Sequence, residues 1–237
     1  MQGIKALTFD TGGTLLDWHS GFRDALATAG ARHSVDRDWA ALANDLRRRS
    51  LGAMLNLGEN GPPEYNFDGA HAFSLDALLA DEGLDIFDTA DRRAIAWDAP
   101  HAFRCWPDCP VGLDAIRARY IAASFTILSY RLIVDTAKGN GLTWDVVLSC
   151  EGFGKYKLLP EAYEKAAYYL QLKPEECMMV ACHSFDLDAA KAVGFRTALV
   201  HRPLEWGGDA PQIGAAPDPE AYDVVADDFI GLSEALA

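Results

Sequence analysis

The chain has 237 residues, half of them hydrophobic, and a formal charge of −14. That is ample apolar material for a core, and the acidic balance argues against nucleic acid as a partner, because phosphate binding needs a basic face. No apolar run approaches the ~18–20 residues of a membrane span, and the N-terminus enters a strand pattern without a signal peptide, so no membrane partner and a cytoplasmic location are expected. Five cysteines is an odd count and fits reduced thiols better than a disulfide framework. Cys105 and Cys109 are four apart, but no second pair completes a zinc spacing.

In chain order, Ile4 to Phe9 reads as a short buried strand. It ends in Asp10, and Gly12, Gly13 and Thr14 turn the backbone at once, so that N–H groups near residue 12 lie open to a ligand. A helical pattern follows. Residues 20–30 place Phe22, Leu26 and Ala29 on one face, and Gly30 ends the run. Trp39 to Met54 is a second helix with Arg47, Arg48 and Arg49 in its middle. Gly58 to Pro63 is a loop. Helices are predicted over 70–80 and 88–96, with no convincing strand between 16 and 100.

From residue 111 the pattern alternates. Helices at 111–120, 131–140, 160–170 and 186–193 separate strands at 121–129, 146–149, 177–181 and 197–200, with Val224-Val225 beginning another. Residues 207–221 read as a surface loop. Strand–helix alternation implies a doubly wound parallel sheet of the α/β class, Rossmann-like. The first strand belongs with that sheet. Residues 1–16 and 101–237 are therefore expected to form an α/β core, and 17–100 a helical cap inserted after strand one.

Ligands in such sheets bind beyond the carboxyl ends of the strands. Those ends supply Asp10, Ser129, Lys157 in the loop after the third strand, and the run Cys182-His183-Ser184-Phe185-Asp186. Each has a plain structural alternative: a turn residue, a helix cap, a solvated lysine, an N-cap. Four at successive ends of one sheet point to chemistry.

In order and type, Asp10 with Thr14, then Ser129, Lys157 and Asp186, resemble the four motifs of the haloacid dehalogenase superfamily. The flanks agree: Asp17-Trp18, Tyr156-Lys157 with Pro160 and Tyr163, His183 with Asp186, and Arg202 to Gly207. Within the superfamily the chain looks most like the type II 2-haloacid dehalogenases. Superfamily phosphatases carry a second Asp where Gly12 stands, to protonate the leaving oxygen, and glycine cannot donate a proton. They also carry a magnesium-binding Asp where Cys182 stands, and magnesium prefers hard oxygen ligands. Both departures turn the reading from phosphoryl transfer toward dehalogenation, in which the leaving halide needs no proton.

The resemblance implies that Asp10 displaces halide from C2 of a short 2-haloalkanoate, forming an aspartyl ester that water hydrolyses. Lys157 would keep Asp10 ionised, Thr14 and Ser129 would hydrogen-bond Asp10 or the substrate, and Asp186 and His183 would position or activate water. Arg47 is the expected cation for the anionic substrate, with Arg48 and Arg49 as rivals. Gly12, Tyr130, Tyr163, Phe185, Trp18 and also Phe67 are expected around the pocket. No metal and no cofactor are expected. Dimerisation is common in the dehalogenases it resembles, so a homodimer is an expected assembly. Against the dehalogenase pattern stand Gly12 for an aromatic residue, Tyr130 for Asn, Leu158 for Pro, and Ala181 and His183 for the water-positioning Ser and Asn. The alternatives are a small-molecule phosphatase of the same superfamily and a non-enzymatic binding protein on this fold.

Overall fold

The computed structural model describes residues 3–55, 66–208 and 219–237. The loop expected at Gly58 to Pro63, and most of that expected at 207–221, lie outside the described residues. Six strands form one wholly parallel sheet in the order β3-β2-β1-β4-β5-β6. They are β1 Ala6–Phe9, β2 Ile121–Thr126, β3 Val146–Ser149, β4 Cys177–Ala181, β5 Arg196–Val200 and β6 Val224–Ala226. β1 is central: Phe9 sits opposite Ser124 of β2 and Val180 of β4. The strand order reverses direction at β1, which places a crevice at its carboxyl end.

The helices are α1 Trp18–Arg32, α2 Trp39–Leu55, α3 Phe67–Asp81, α4 Thr89–Arg93, α5 Ala99–His101, α6 Cys109–Arg117, α7 Tyr130–Asn140, α8 Cys150–Phe153, α9 Pro160–Tyr169, α10 Ser184–Val193 and α11 Phe229–Ala235. A π-helical turn, Ala94–Asp98, joins α4 to α5. Side-chain caps set several starts. Asp17 accepts the Ser20 N–H, Asn66 those of Asp68 and Gly69, and Asp88 closes a capping box with Asp91. Gly141 and Gly194, both at positive φ, close α7 and α10.

Both faces of the sheet are covered. Alternate side chains point to opposite faces. Phe9 meets Phe229 of α11 at 5.5 Å between ring centroids, and Phe125 of β2 meets Tyr163 of α9 at 5.2 Å edge-on. Between β1 and α6 the regular elements among the described residues are all helices, with α2 packed on both α1 and α3. Two contacts tie this helical segment to the sheet end: His101 Nδ1 lies 2.8 Å from Asp135 of α7, and Asn44 of α2 donates to the Trp206 carbonyl at 3.1 Å. Within the segment, Asn44 Oδ1 pairs with His19 of α1 at 2.9 Å.

Two differences from the sequence expectation bear on the site. The strand expected over 121–129 ends at Thr126, because the Thr126 hydroxyl accepts the Leu128 N–H and bends the chain out of the sheet. Helix α11 was not foreseen, although Asp228 caps it and Phe229, Leu232 and Leu236 are buried at helical spacing.

Candidate active site

Asp10 follows β1 directly, and its N–H continues the ladder by donating to the Val180 carbonyl at 2.9 Å. The carboxylate therefore stands at the sheet's carboxyl edge, nearly buried. Three side chains reach it. Thr14 donates to Oδ2 at 2.7 Å, Lys157 Nζ lies 3.0 Å from Oδ1, and His183 Nδ1 lies 3.3 Å from Oδ2. Burial alone would favour the neutral acid. The charges of Lys157 and His183 and the Thr14 hydroxyl outweigh it and hold the Asp10 carboxyl well below the usual carboxylate range. Asp10 is thus an ionised carboxylate at neutral pH.

Lys157 also donates to Asp186 Oδ2 at 2.6 Å, and the Tyr163 hydroxyl donates to Asp186 Oδ1 at 2.7 Å. Tyr163, expected around the pocket, is instead fully buried behind it and anchors Asp186. Burial opposes the Lys157 charge, but Asp10 and Asp186 on either side raise its pKa above the ordinary lysine value. The peptide bond between Lys157 and Leu158 is cis.

His183 precedes α10, its ring stacked on Phe185 at 5.0 Å. Its Nε2 is 2.9 Å from Glu205 Oε1, and Glu205 also accepts the Trp18 indole N–H at 3.0 Å. Burial alone would lower the imidazole pKa. The Cys182 sulfur, the Glu205 carboxylate and the Asp10 hydrogen bond outweigh it and push it well above its ordinary value. Glu205 lies below its own ordinary value: burial opposes the charge, and His183 more than compensates.

Of the three adjacent arginines, Arg47 lines the pocket. It is 4 % exposed, whereas Arg48 is exposed over the Trp206 ring and Arg49 pairs with Asp45 and Asp81. The Arg47 guanidinium lies over the rings of Trp18 (5.4 Å) and Phe67 (5.7 Å). Its Nη2 donates to the Gly12 carbonyl at 3.3 Å, and its buried Nε has no partner among the described residues. A Cβ on Gly12 would sit 2.9 Å from that Nη2. The missing side chain at position 12 is the space that Arg47 fills. Gly13 is equally constrained. It has φ +96°, and a Cβ there would lie 2.1 Å from Glu205 Oε1.

The pocket is small, with a cavity volume of about 20 Å³. Asp10, Gly12, Arg47, Lys157, His183, Phe185 and Asp186 supply its polar and aromatic lining, and Leu51, Leu55, Ile127 and Leu128 its apolar wall. Besides Tyr163, the expected site residues Ser129 and Tyr130 lie outside the pocket lining. Ser129 is the N-cap of α7, its hydroxyl oxygen accepting the Leu132 N–H at 3.1 Å. The backbone bends out of the sheet three residues earlier than expected, so Thr126 to Leu128 meet the pocket instead. Tyr130 is 38 % exposed and packs over Gly152, away from Asp10. Trp18 lies behind Arg47 and Glu205, where it orients both. The N–H of Gly13, in the loop expected to offer free donors, goes to the Leu16 carbonyl.

The residue that sequence reasoning missed is Glu205. The motif Arg202 to Gly207 contains it, but nothing local assigns it a partner 22 positions away. The donor set beside Asp10 is unsuited to magnesium. At the relevant strand end stands a thiol, Cys182, whose sulfur faces His183 and Glu205, and the Asp10 oxygens already face Lys157, Thr14 and His183. All five cysteines are free thiols, and among the described residues no helix is long and apolar enough to cross a membrane.

A family model described as haloacid dehalogenase-like hydrolase matches residues 4–194. The chain is 28 % identical over 221 residues to (S)-2-haloacid dehalogenase 1 of Pseudomonas sp. (strain CBS-3), covering 90 % of this chain and 92 % of that one. Among solved structures it is similar to a defluorinating L-2-haloacid dehalogenase (35 % identity, TM-score 0.89, 98 % of this chain and 95 % of that one). It is also similar to a second L-2-haloacid dehalogenase (34 % identity, TM-score 0.89, 99 % of both chains).

Proposed function

This chain belongs to the haloacid dehalogenase-like hydrolases, and from that premise we propose that it hydrolyses a short 2-haloalkanoic acid to the 2-hydroxy acid through an ester on Asp10. The observation that carries the reading is the guanidinium of Arg47 occupying the space over Gly12, in the same pocket as the ionised Asp10. With no side chain at position 12, the loop lacks the carboxylate that protonates a phosphatase's leaving oxygen. The pocket holds instead a cation with unused donors, suited to a substrate carboxylate or a departing halide.

Asp10 attacks C2 in line, the C–halogen bond breaks, and halide leaves with the bonding pair. Lys157 keeps the nucleophile charged, and Thr14 fixes its orientation. Arg47 neutralises the substrate carboxylate within a site whose other charges, Asp10, Asp186 and Glu205 against Lys157 and His183, come from the protein. Water then attacks the ester carbonyl and releases the hydroxy acid.

Halide release from chloro-, bromo- and fluoroacetate and from both enantiomers of 2-chloropropionate, each with and without EDTA, tests the activity. The expected outcome is EDTA-insensitive halide release, with the (S) enantiomer preferred as in the relatives' names. A single turnover in ¹⁸O-water tests the ester: the first product molecule carries unlabelled oxygen from Asp10. Magnesium-dependent phosphate release with no halide from any substrate overturns the proposal.

A further inference from the structure

Ester hydrolysis needs a base, and Asp186 is badly placed to be one. Both its oxygens already accept hydrogen bonds, from Tyr163 at 2.7 Å and Lys157 at 2.6 Å, and it is 1 % exposed. His183 lines the pocket, with Nδ1 3.3 Å from Asp10 and Nε2 2.9 Å from Glu205. Glu205 is itself held by the Trp18 indole at 3.0 Å, and its carboxylate fills the space beside Gly13 where a side chain would stand. A carboxylate that holds one imidazole nitrogen sets the tautomer and aims the other.

We propose that Glu205 and His183 form a dyad in which Glu205 is a positioning residue and His183 takes the proton from the water that hydrolyses the Asp10 ester. This rests on the ester reading above. In the free protein His183 faces the Asp10 carboxylate and is protonated. Esterification removes that anion, so His183 releases its proton to solvent and Nδ1 becomes a base facing the ester. Water adds to the Asp10 carbonyl carbon and gives a proton to Nδ1. The bond between that carbon and the ester oxygen breaks, and the leaving alkoxide takes the proton back as the 2-hydroxy acid. The new Asp10 carboxyl passes its proton to His183, which restores the starting charges. Per turnover one water is consumed, and one halide and one proton are released.

The test is rapid-quench kinetics of the full chain with (S)-2-chloropropionate, with intact-protein mass measured alongside. Glu205→Gln is expected to release a burst of one halide per chain and then turn over roughly 10²–10⁴-fold more slowly, with the substrate-derived mass retained on Asp10. Its kcat–pH profile should move to lower pH, since Asp10, Glu205 and Cys182 face the imidazole and the substitution removes one anion. Glu205→Asp should recover part of the rate. His183→Ala, the second variant, should trap the same ester. Equal slowing of burst and steady state in Glu205→Gln, or wild-type turnover in His183→Ala, overturns the dyad. No halide from the unsubstituted protein overturns the ester reading instead.

Discussion

At the residue scale the site is a buried set of alternating charges in which each member depends on its neighbours. Lys157 is the sharpest case, since it lies between two carboxylates and is 4 % exposed. Replacing it with Met leaves Asp10 and Asp186 without their shared cation. Breaking a buried pair in this way costs about 3–5 kcal/mol, and one carboxylate must then take up a proton. Lys157→Met is expected to lose that much stability in urea unfolding and to give no halide burst. Arg47 is different: its cost falls on the ligand. Removing a charged hydrogen-bond donor loses about 1.5–3 kcal/mol of binding, so Arg47→Met should raise KM for 2-chloropropionate roughly ten- to a hundredfold. An unchanged KM would remove Arg47 from substrate binding.

At the element scale, caps and turns place the functional groups. The Thr126 hydroxyl ends β2 and Ser129 then starts α7, so the pocket wall is made of Ile127 and Leu128. Ser129→Ala is expected to cost about 1 kcal/mol of stability, as cap removals do, while kcat stays within twofold. A large fall in kcat at unchanged stability would return Ser129 to the chemistry. Helix α2 shows the same principle. Its 3.6-residue period turns Arg47 inward with Ala43 and Leu51 and leaves Arg48 outside.

At the scale of the whole molecule, buried charges make stability depend on pH. Asp10 and Glu205 have depressed values when folded, so their contributions are present above their ordinary values of 3.8 and 4.5 and are lost as pH falls through the folded values. His183 is raised. Its contribution is fully present below 6.5 and is lost as pH rises through its folded value. The urea-midpoint difference between wild type and His183→Asn should therefore be largest below 6.5 and shrink toward alkaline pH. A difference that grows with pH would mean the imidazole is buried neutral.

The sequence by itself determined the parallel sheet, the helical segment after the first strand, and the strand-end positions of Asp10, Lys157, His183 and Asp186. Apolar periodicity and glycine turns are local signals, and a doubly wound sheet collects its strand ends on one edge. It placed Ser129 and Tyr130 in the site because a buried strand and the apolar turn beyond it read alike. Only the tertiary structure decided that Arg47 occupies the space left by Gly12, that Tyr163 holds Asp186, and that Glu205 holds His183. Those pairings join positions 35, 23 and 22 residues apart. No local pattern encodes which distant side chains meet, because that depends on how helices and strands pack.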